Sequence, residues 1–542
     1  MRRVSTPKLT TIGLDAATFA VIDPMLAAGE LPNLERLFAS GTKGVLRSVT
    51  HPLTPHAWST MTTGVNAGRH GIWDFPHRTE DGHGLRAASG SDRRAPAVWD
   101  RLSAAGVRSA LVSIPFSGPA PEIEGCVLAG FDSAESGPGF TYPAGLADEL
   151  RRRFGGLVLD YRFPIGQNGE LDLDLVRRAA EQKVEIALWL AERYGVDLLF
   201  AVFMAADHVH HLCWDDWELR GLESRVADVY RILDRAAGAL ADAAGADGDV
   251  LVVSDHGGGN LEGVVNLNYF LAEQGYLAYR GAGAALGRRT ASRVLQLRRI
   301  FPESARTWLK GRLPALRERA GKTSYTIVDW EQTRAFAYGT FGNVVINVRG
   351  REAEGIVAPQ EYEAVRAEVA DALRDLRDQD GAPIVAAVHR REDLFYGPEL
   401  SNVPDLVVEF DEYRWLGKGE LQSRSESLRG QIEIESSTLS YVGSHRIEGI
   451  VCLTGPSAAV GRTIEADIAD VAPTILYLLG QPLPSDLDGR LITEALDQDL
   501  LDRRPPEYTD EESEVLVSQA GRYSSEDEAA VEERLRSLGY LE

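Results

Sequence analysis

Apolar positions along this chain fall into two rhythms. Short unbroken runs at Leu9–Leu14, Ser109–Ile114, Asp197–Met204 and Asp249–Val253 are rich in Val, Leu, Ile and Phe. Apolar runs of that length, without polar alternation, predict strands buried on both faces. Between them the apolar spacing lengthens to that of a helix. Leu31–Ser40 carries Pro32 near its start and meets Gly41, Ala95–Ala105 stops at Gly106, Leu173–Tyr194 stops at Gly195, and Leu222–Ala244 precedes the last strand. Proline just inside a helix start and glycine just past its end are the expected punctuation. Such alternation predicts an α/β fold around a parallel sheet with helices on both faces.

From 262 to 440 the rhythm changes. A basic block, Leu286–Lys322, gives way to strands at Ala335–Tyr338, Val344–Val348 and Asp405–Phe410 and a helix at Gln360–Arg377. This segment reads as an inserted cap domain. Residues 1–261 and 441–496 then form the catalytic core, since Ile450–Leu496 returns to the α/β pattern, and 497–542 form an acidic tail. In the tail, Ser525-x-x-Glu528 makes a capping box before a short helix ending near Gly539. A length of 542 residues, beyond one ordinary core, agrees with this division.

Composition narrows the function. A net charge of −24 opposes stable nucleic-acid binding, which needs a basic surface. Three cysteines without CxxC spacing exclude a disulfide framework and a thiolate zinc cluster. No run approaches the roughly 20 apolar residues of a membrane span, and no apolar signal segment follows Met1. A cytoplasmic protein is expected. The charge is uneven, however: Leu286–Lys322 holds 11 Arg/Lys against Glu303 and Glu318, a local +9.

Three of the predicted strands end on an aspartate: Asp15, Asp207 after two alanines, and Asp255 after Ser254. Ligands of open α/β sheets bind at the carboxyl ends of strands, so three carboxylates can converge there. Together they repel unless a cation holds them. Histidines follow two of them, in Asp207-His-Val-His-His211 and Asp255-His256-Gly257. Mixed carboxylate and imidazole suits zinc or manganese better than calcium. A lone aspartate after a strand is more often a helix cap, but three in this order with histidines favour a metal site.

These residues carry a resemblance. Gly13-Leu-Asp-Ala-Ala-Thr18, Leu31-Pro-Asn-Leu34, Leu53-Thr-Pro-His-Ala-Trp58, Thr63-Gly64, His70-Gly-Ile72, Asp207 to His211 and Ser254-Asp-His-Gly257 come first. Asp329-Trp330, Thr333-Arg-Ala335, Gly443-Ser-His445, Ala472-Pro-Thr-Ile475 and Asp488-Gly-Arg490 follow. The set resembles the alkaline phosphatase superfamily, in the type I phosphodiesterase/nucleotide pyrophosphatase branch, and most nearly a group described as predicted phosphohydrolase or phosphomutase. The resemblance implies an alkaline phosphatase-like three-layer sandwich with a mostly parallel central sheet and an inserted cap. It also implies two divalent ions, Zn2+ or Mn2+: one held by Asp207, His211 and His445, the other by Asp15, Asp255, His256 and the Thr54 oxygen. Thr54, ten residues before Gly64, would be the nucleophile that becomes a phosphothreonine. It is also expected to cap the helix over Ala57–Thr63. His56 stands where the family more often has proline, a departure that alters the pocket beside Thr54 and no ligand.

The implied substrate is small, anionic and phosphorylated, nucleotide-like among others, cleaved at a phosphate ester, phosphodiester or pyrophosphate bond. A phosphomutase is the alternative, and a ligand-binding pseudoenzyme is opposed by the intact ligand set. A sulfatase is disfavoured, because Thr54-Pro-His-Ala-Trp58 lacks its modified Cys or Ser. His208, His210 and His70 read as structural, His389 as solvated or structural, and Trp214 and Trp217 as packing rather than base-stacking residues. The basic block reads as a solvated face whose rival role is capture of an anionic substrate. Reversing Arg298 and Arg299 to Glu tests the rival. Capture predicts a lower kcat/KM whose deficit shrinks with salt, since about 10 Å is the screening length at 0.1 M; unaltered kinetics leave a solvated face.

Overall fold

Nine strands hydrogen-bond into one sheet: β1 (Leu9–Leu14), β2 (Gly41–Arg47), β3 (Ser109–Ile114), β4 (Gly125–Ala129), β5 (Thr141–Tyr142), β6 (Leu198–Phe203), β7 (Asp249–Val253), β8 (Glu448–Thr454) and β9 (Thr463–Asp467). The computed structural model in which they are seen describes residues 6–79, 82–133, 137, 139–158, 171–280, 327–419, 441–510 and 525–537. The order across the sheet is β9-β2-β8-β7-β1-β6-β3-β4-β5. β1 lies centrally between parallel partners β6 and β7, with Leu14 opposite Phe203 and Gly13 opposite Val253. β8 runs antiparallel between β7 and β2, and β5 is antiparallel at the far edge. The sheet is therefore mostly parallel.

Every residue of β1, β3, β6 and β7 is buried, as their unbroken apolar composition requires. Helices Pro32–Ala39, Leu173–Tyr194 and Arg225–Ala244 pack together in one layer, and Thr54–Thr63, Val98–Ala104 and Val471–Leu478 are associated in another. β1, β3, β7 and the helix Leu173–Tyr194 fall on their expected bounds. The helix expected from Leu222 begins at Arg225, because the Ser224 hydroxyl accepts from Ala227 N and caps it there. The helix expected at Gln360–Arg377 spans Tyr362–Arg374.

A second sheet lies in the segment between β7 and β8. Its order is Ala335–Tyr338, Asn343–Ile346, Leu406–Phe410, Val385–Arg390, antiparallel throughout. It has its own buried cluster, with Leu271, Phe336, Val369 and Phe410 among its members. Trp73 Nε1 donates to Tyr338 Oη at 2.9 Å, and Arg78 pairs with Glu352 at 2.8 Å, joining this sheet to the first half of the chain. Near the C-terminus, the helix Ser525–Ser537 sets Val531 and Leu535 into the main core, against Leu85–Ala87. The basic block Leu286–Lys322 lies outside the described residues. Among the described residues, no helix is long and apolar enough to cross a membrane.

Gly13 shows how closely the helix Thr54–Thr63 approaches β1. A Cβ there would lie 2.5 Å from the Trp58 ring and 2.8 Å from Val202. Gly13→Ala is expected to lower stability by about 1–3 kcal/mol through overpacking, read from the urea midpoint.

Candidate metal centre

β1, β6 and β7 lead, at their carboxyl ends, to Asp15, Asp207 and Asp255, all fully buried. Because these strands are parallel neighbours, one edge of the sheet collects all three. Asp207 and His211 stand one turn apart on the helix Ala205–Arg220, with Asp207 Oδ1 3.2 Å from His211 Nε2. His445 arrives from the other end of the chain on Gly443–Arg446, which pairs antiparallel with Gly257–Asn260, immediately after His256. Its Nε2 lies 3.3 Å from Asp207 Oδ1 and 3.0 Å from His211 Nε2. His256 Nε2 is 3.4 Å from Asp255 Oδ2 and 3.7 Å from Asp15 Oδ1. Two groups of donor atoms have the spacing of ion sites: Asp207, His256 and His445, and Asp15, Asp255 and His256. His256 thus stands between them, rather than in one site alone.

Each imidazole is locked in one tautomer. Nδ1 of His211 donates to Gly443 O at 3.0 Å, that of His445 to Pro52 O at 2.6 Å, and that of His256 to Gly257 O at 2.9 Å. Carbonyls only accept, so the Nε2 lone pairs face the cluster. Nε2 of His211 and Nε2 of His445 stand 3.0 Å apart, and the carboxylates around them add negative potential. Burial, then the charges of Asp255 and Asp207, raise Asp15 well above the usual carboxylate range; burial and Asp207 do the same to Asp255. Burial pushes Asp207 up too, but His211 and His445 outweigh it and hold that carboxyl low. Burial, with the His445 ring beside it, lowers His256 well below the ordinary imidazole value, and burial lowers His445 too. Burial also opposes protonation of His211, but Asp207 reverses the balance and raises it. Asp15 Oδ1, Asp255 Oδ2, His256 Nε2 and Thr54 Oγ1 are buried and make no hydrogen bond. Buried acceptors without donors fit divalent cations.

Thr54 is fully buried and opens the helix Thr54–Thr63 as its first residue. The expected capping role is corrected: Leu53 is the flanking residue and no side chain caps this end. Thr54 already lies inside the helix, so its hydroxyl does not fold back onto the following amides. The chain around it is tied to both groups. Pro52 O accepts from His445, and Trp58, one turn after Thr54, donates Nε1–H to Asp15 Oδ2 at 2.7 Å. His56 is committed to packing, edge-on to Phe395 at 5.6 Å and 6.0 Å from the His70 ring.

His70 is buried with Nε2 3.0 Å from Thr60 Oγ1, and His210 bonds the Tyr230 hydroxyl. Trp214 lies edge-on to His210, and His389 pairs with Glu409 at 2.7 Å. Sequence reasoning missed Trp58 and Tyr441, whose ring stacks on His211 at 4.6 Å. The turn-apart spacing from Thr54 was the only signal for Trp58; Tyr441 carried none.

Residues 9–431 match the sequence profile of the type I phosphodiesterase/nucleotide pyrophosphatase family. No curated protein sequence matches. Among solved structures, phosphonoacetate hydrolase from Sinorhizobium meliloti 1021, in complex with phosphonoacetate, is similar at 16% identity and TM-score 0.53, over 88% of this chain and 95% of that one. Human ectonucleotide pyrophosphatase/phosphodiesterase 5 is similar at 13% identity and TM-score 0.51, over 90% and 100%. A murine counterpart in inactive form, in complex with AMP, is similar at 13% identity and TM-score 0.50, over 91% and 100%. The chain belongs to the type I phosphodiesterase/nucleotide pyrophosphatase family and shares the fold of these solved structures.

Trp58→Phe keeps an aromatic ring in the core and removes the donor to Asp15. A roughly 10–100-fold loss of metal affinity is expected, as for other groups that orient ligands, read by competition with a chromophoric chelator.

Proposed function

From that family membership, we infer that this chain is a two-metal phosphohydrolase that attacks phosphorus with Thr54. The observation that carries the reading is the convergence of Asp15, Asp207, Asp255, His211, His256 and His445 with imidazole lone pairs facing one another. Asp207, His211 and His445 would hold one ion; Asp15, Asp255 and His256, with the Thr54 hydroxyl, the other. Zinc suits the mixed nitrogen and oxygen donors, and manganese is compatible. Ions bound there would supply Lewis-acid stabilisation of phosphoryl oxygens and favour the Thr54 alkoxide.

Thr54 Oγ1 attacks phosphorus as its proton passes to solvent, the bond from phosphorus to the leaving oxygen breaks, and that oxygen keeps the electron pair and takes up a proton from water. The product is a phosphothreonine. Water then attacks that phosphorus, the bond to Oγ1 breaks, and the hydroxyl is restored. Trp58 holds Asp15 in orientation, and the three carbonyls on Nδ1 keep each Nε2 inward. Residues 262–440 act as a cap over residues 1–261 and 441–496, and the acidic segment 497–542 returns a helix to the main core. The substrate is small and phosphorylated; the complexes of similar proteins with phosphonoacetate and AMP support a compact anion with or without a nucleoside.

The test joins metal content to Thr54. Elemental analysis is expected to find close to two transition-metal ions per chain, and chelation to abolish hydrolysis of bis(para-nitrophenyl) phosphate, para-nitrophenyl phosphate or a nucleotide. Thr54→Ala is expected to keep fold and metal while losing at least about 1,000-fold in kcat. Near-normal turnover in metal-loaded Thr54→Ala would remove the nucleophile assignment, and chelator-resistant activity without bound metal would remove the two-metal reading. Phosphate returned to the same molecule instead of to water would identify a mutase.

A further inference from the structure

The loop that delivers Thr54 is held from outside the central sheet. Between β2 and the helix Thr54–Thr63, His51 takes a left-handed backbone conformation, φ 61. Side chains adopt that region rarely, and only where the surroundings over-determine it. Here three tethers act within five residues. Ser48 N donates to Ile447 O at 2.7 Å. The His51 ring, buried, places Nε2 3.0 Å from Val408 O on the inserted sheet. Pro52 O accepts from His445 Nδ1. Phe341 bridges the last two, its ring 6.1 Å from that of His51 and 5.3 Å from that of His445.

Val408 O only accepts, so His51 carries its proton on Nε2. Burial holds its pKa down to about 4, which keeps the ring neutral across the working range. Asn343, on the same inserted sheet, donates to buried Asp74. The inserted sheet thus grips the loop through β-strand atoms that cannot shift without disturbing two strand pairings.

We propose that His51 is a positioning residue: its bond to Val408 fixes the strained turn at 51–53, and with it the place of Thr54 Oγ1 and the aim of His445 Nε2. The proposal rests on Thr54 as nucleophile and His445 as ligand. It makes the inserted segment part of the catalytic machinery, since one of its carbonyls sets the geometry of the attacking residue. A histidine that merely filled space would leave the Pro52 carbonyl, and everything tied to it, in place when removed.

His51→Asn and His51→Gly test this, because both residues accept the left-handed backbone and neither reaches Val408 O. The visible absorption of the cobalt-loaded protein reads His445 coordination without turnover, and hydrolysis of bis(para-nitrophenyl) phosphate reads Thr54. Expected are near-wild-type melting, a shifted cobalt band and kcat lowered roughly 100-fold, as for a misplacement of about 1 Å, with KM within about threefold. Added imidazole, seated in the space left in His51→Gly, is expected to recover part of kcat. An unchanged band with unchanged kcat overturns the proposal, as does activity lost only in step with folded protein and without imidazole recovery. Should the wild type bind cobalt yet hydrolyse no phosphoester, the functional reading fails by itself, and the cobalt band alone decides on His51.

Discussion

The arrangement at the sheet edge depends on keeping three imidazoles in one tautomer. Gly443, Pro52 and Gly257 each offer a carbonyl to a different Nδ1–H, and the three Nε2 lone pairs are forced inward as a result. Inward-facing lone pairs stand beside three buried carboxylates that repel one another, so the site is complementary to cations and to little else. The surrounding packing resists that repulsion. All ten residues of the Thr54 helix are buried, and β1, β6 and β7 are enclosed on both faces.

Close approach of backbone is the second requirement. His256 and His445, whose rings stack at 3.9 Å, come from the ends of the two strands of a ribbon whose glycines leave room for this close approach. A Cβ at Gly258 would meet His210 Nδ1 at 2.1 Å, so the ribbon lies directly on the Asp207 helix only because that position is bare. Arg446 closes the other side. Its half-buried guanidinium donates to Tyr413 O, His445 O and both oxygens of Asn260, and desolvation pulls its pKa down to about 10. A cation satisfied by carbonyls fastens the ribbon without bringing another carboxylate near the buried Asp and His cluster.

The inserted segment enters the same network from a distance. Phe341, Tyr413 and Leu416 pack into the main core, while Val408 holds the loop before Thr54. Stretches far apart in sequence therefore meet around the site, and the inserted sheet touches the loop before Thr54 through a backbone carbonyl.

Much of this was legible in the order of residues. Unbroken apolar runs reported β1, β3 and β7 with their bounds, and an aspartate after each of three runs reported the edge where they meet. The helix Ala205–Arg220, which the apolar pattern did not report, sets Asp207 and His211 one turn apart. The resemblance identified Thr54 and His445, which no spacing rule joins to the others. What the chain order did not contain is long-range. The capping role expected of Thr54 failed because helix start is decided by which backbone groups are already bonded, and here Leu53 flanks the helix. The place of His256 between two groups, the antiparallel β8 inside the sheet, Trp58 on Asp15 and the grip of Val408 on His51 are contacts between residues up to 357 positions apart. Local periodicity states which residues are apolar or titratable and which strands end on them. Only packing sets which lone pairs face each other, because that depends on distances across the sheet that no local pattern encodes.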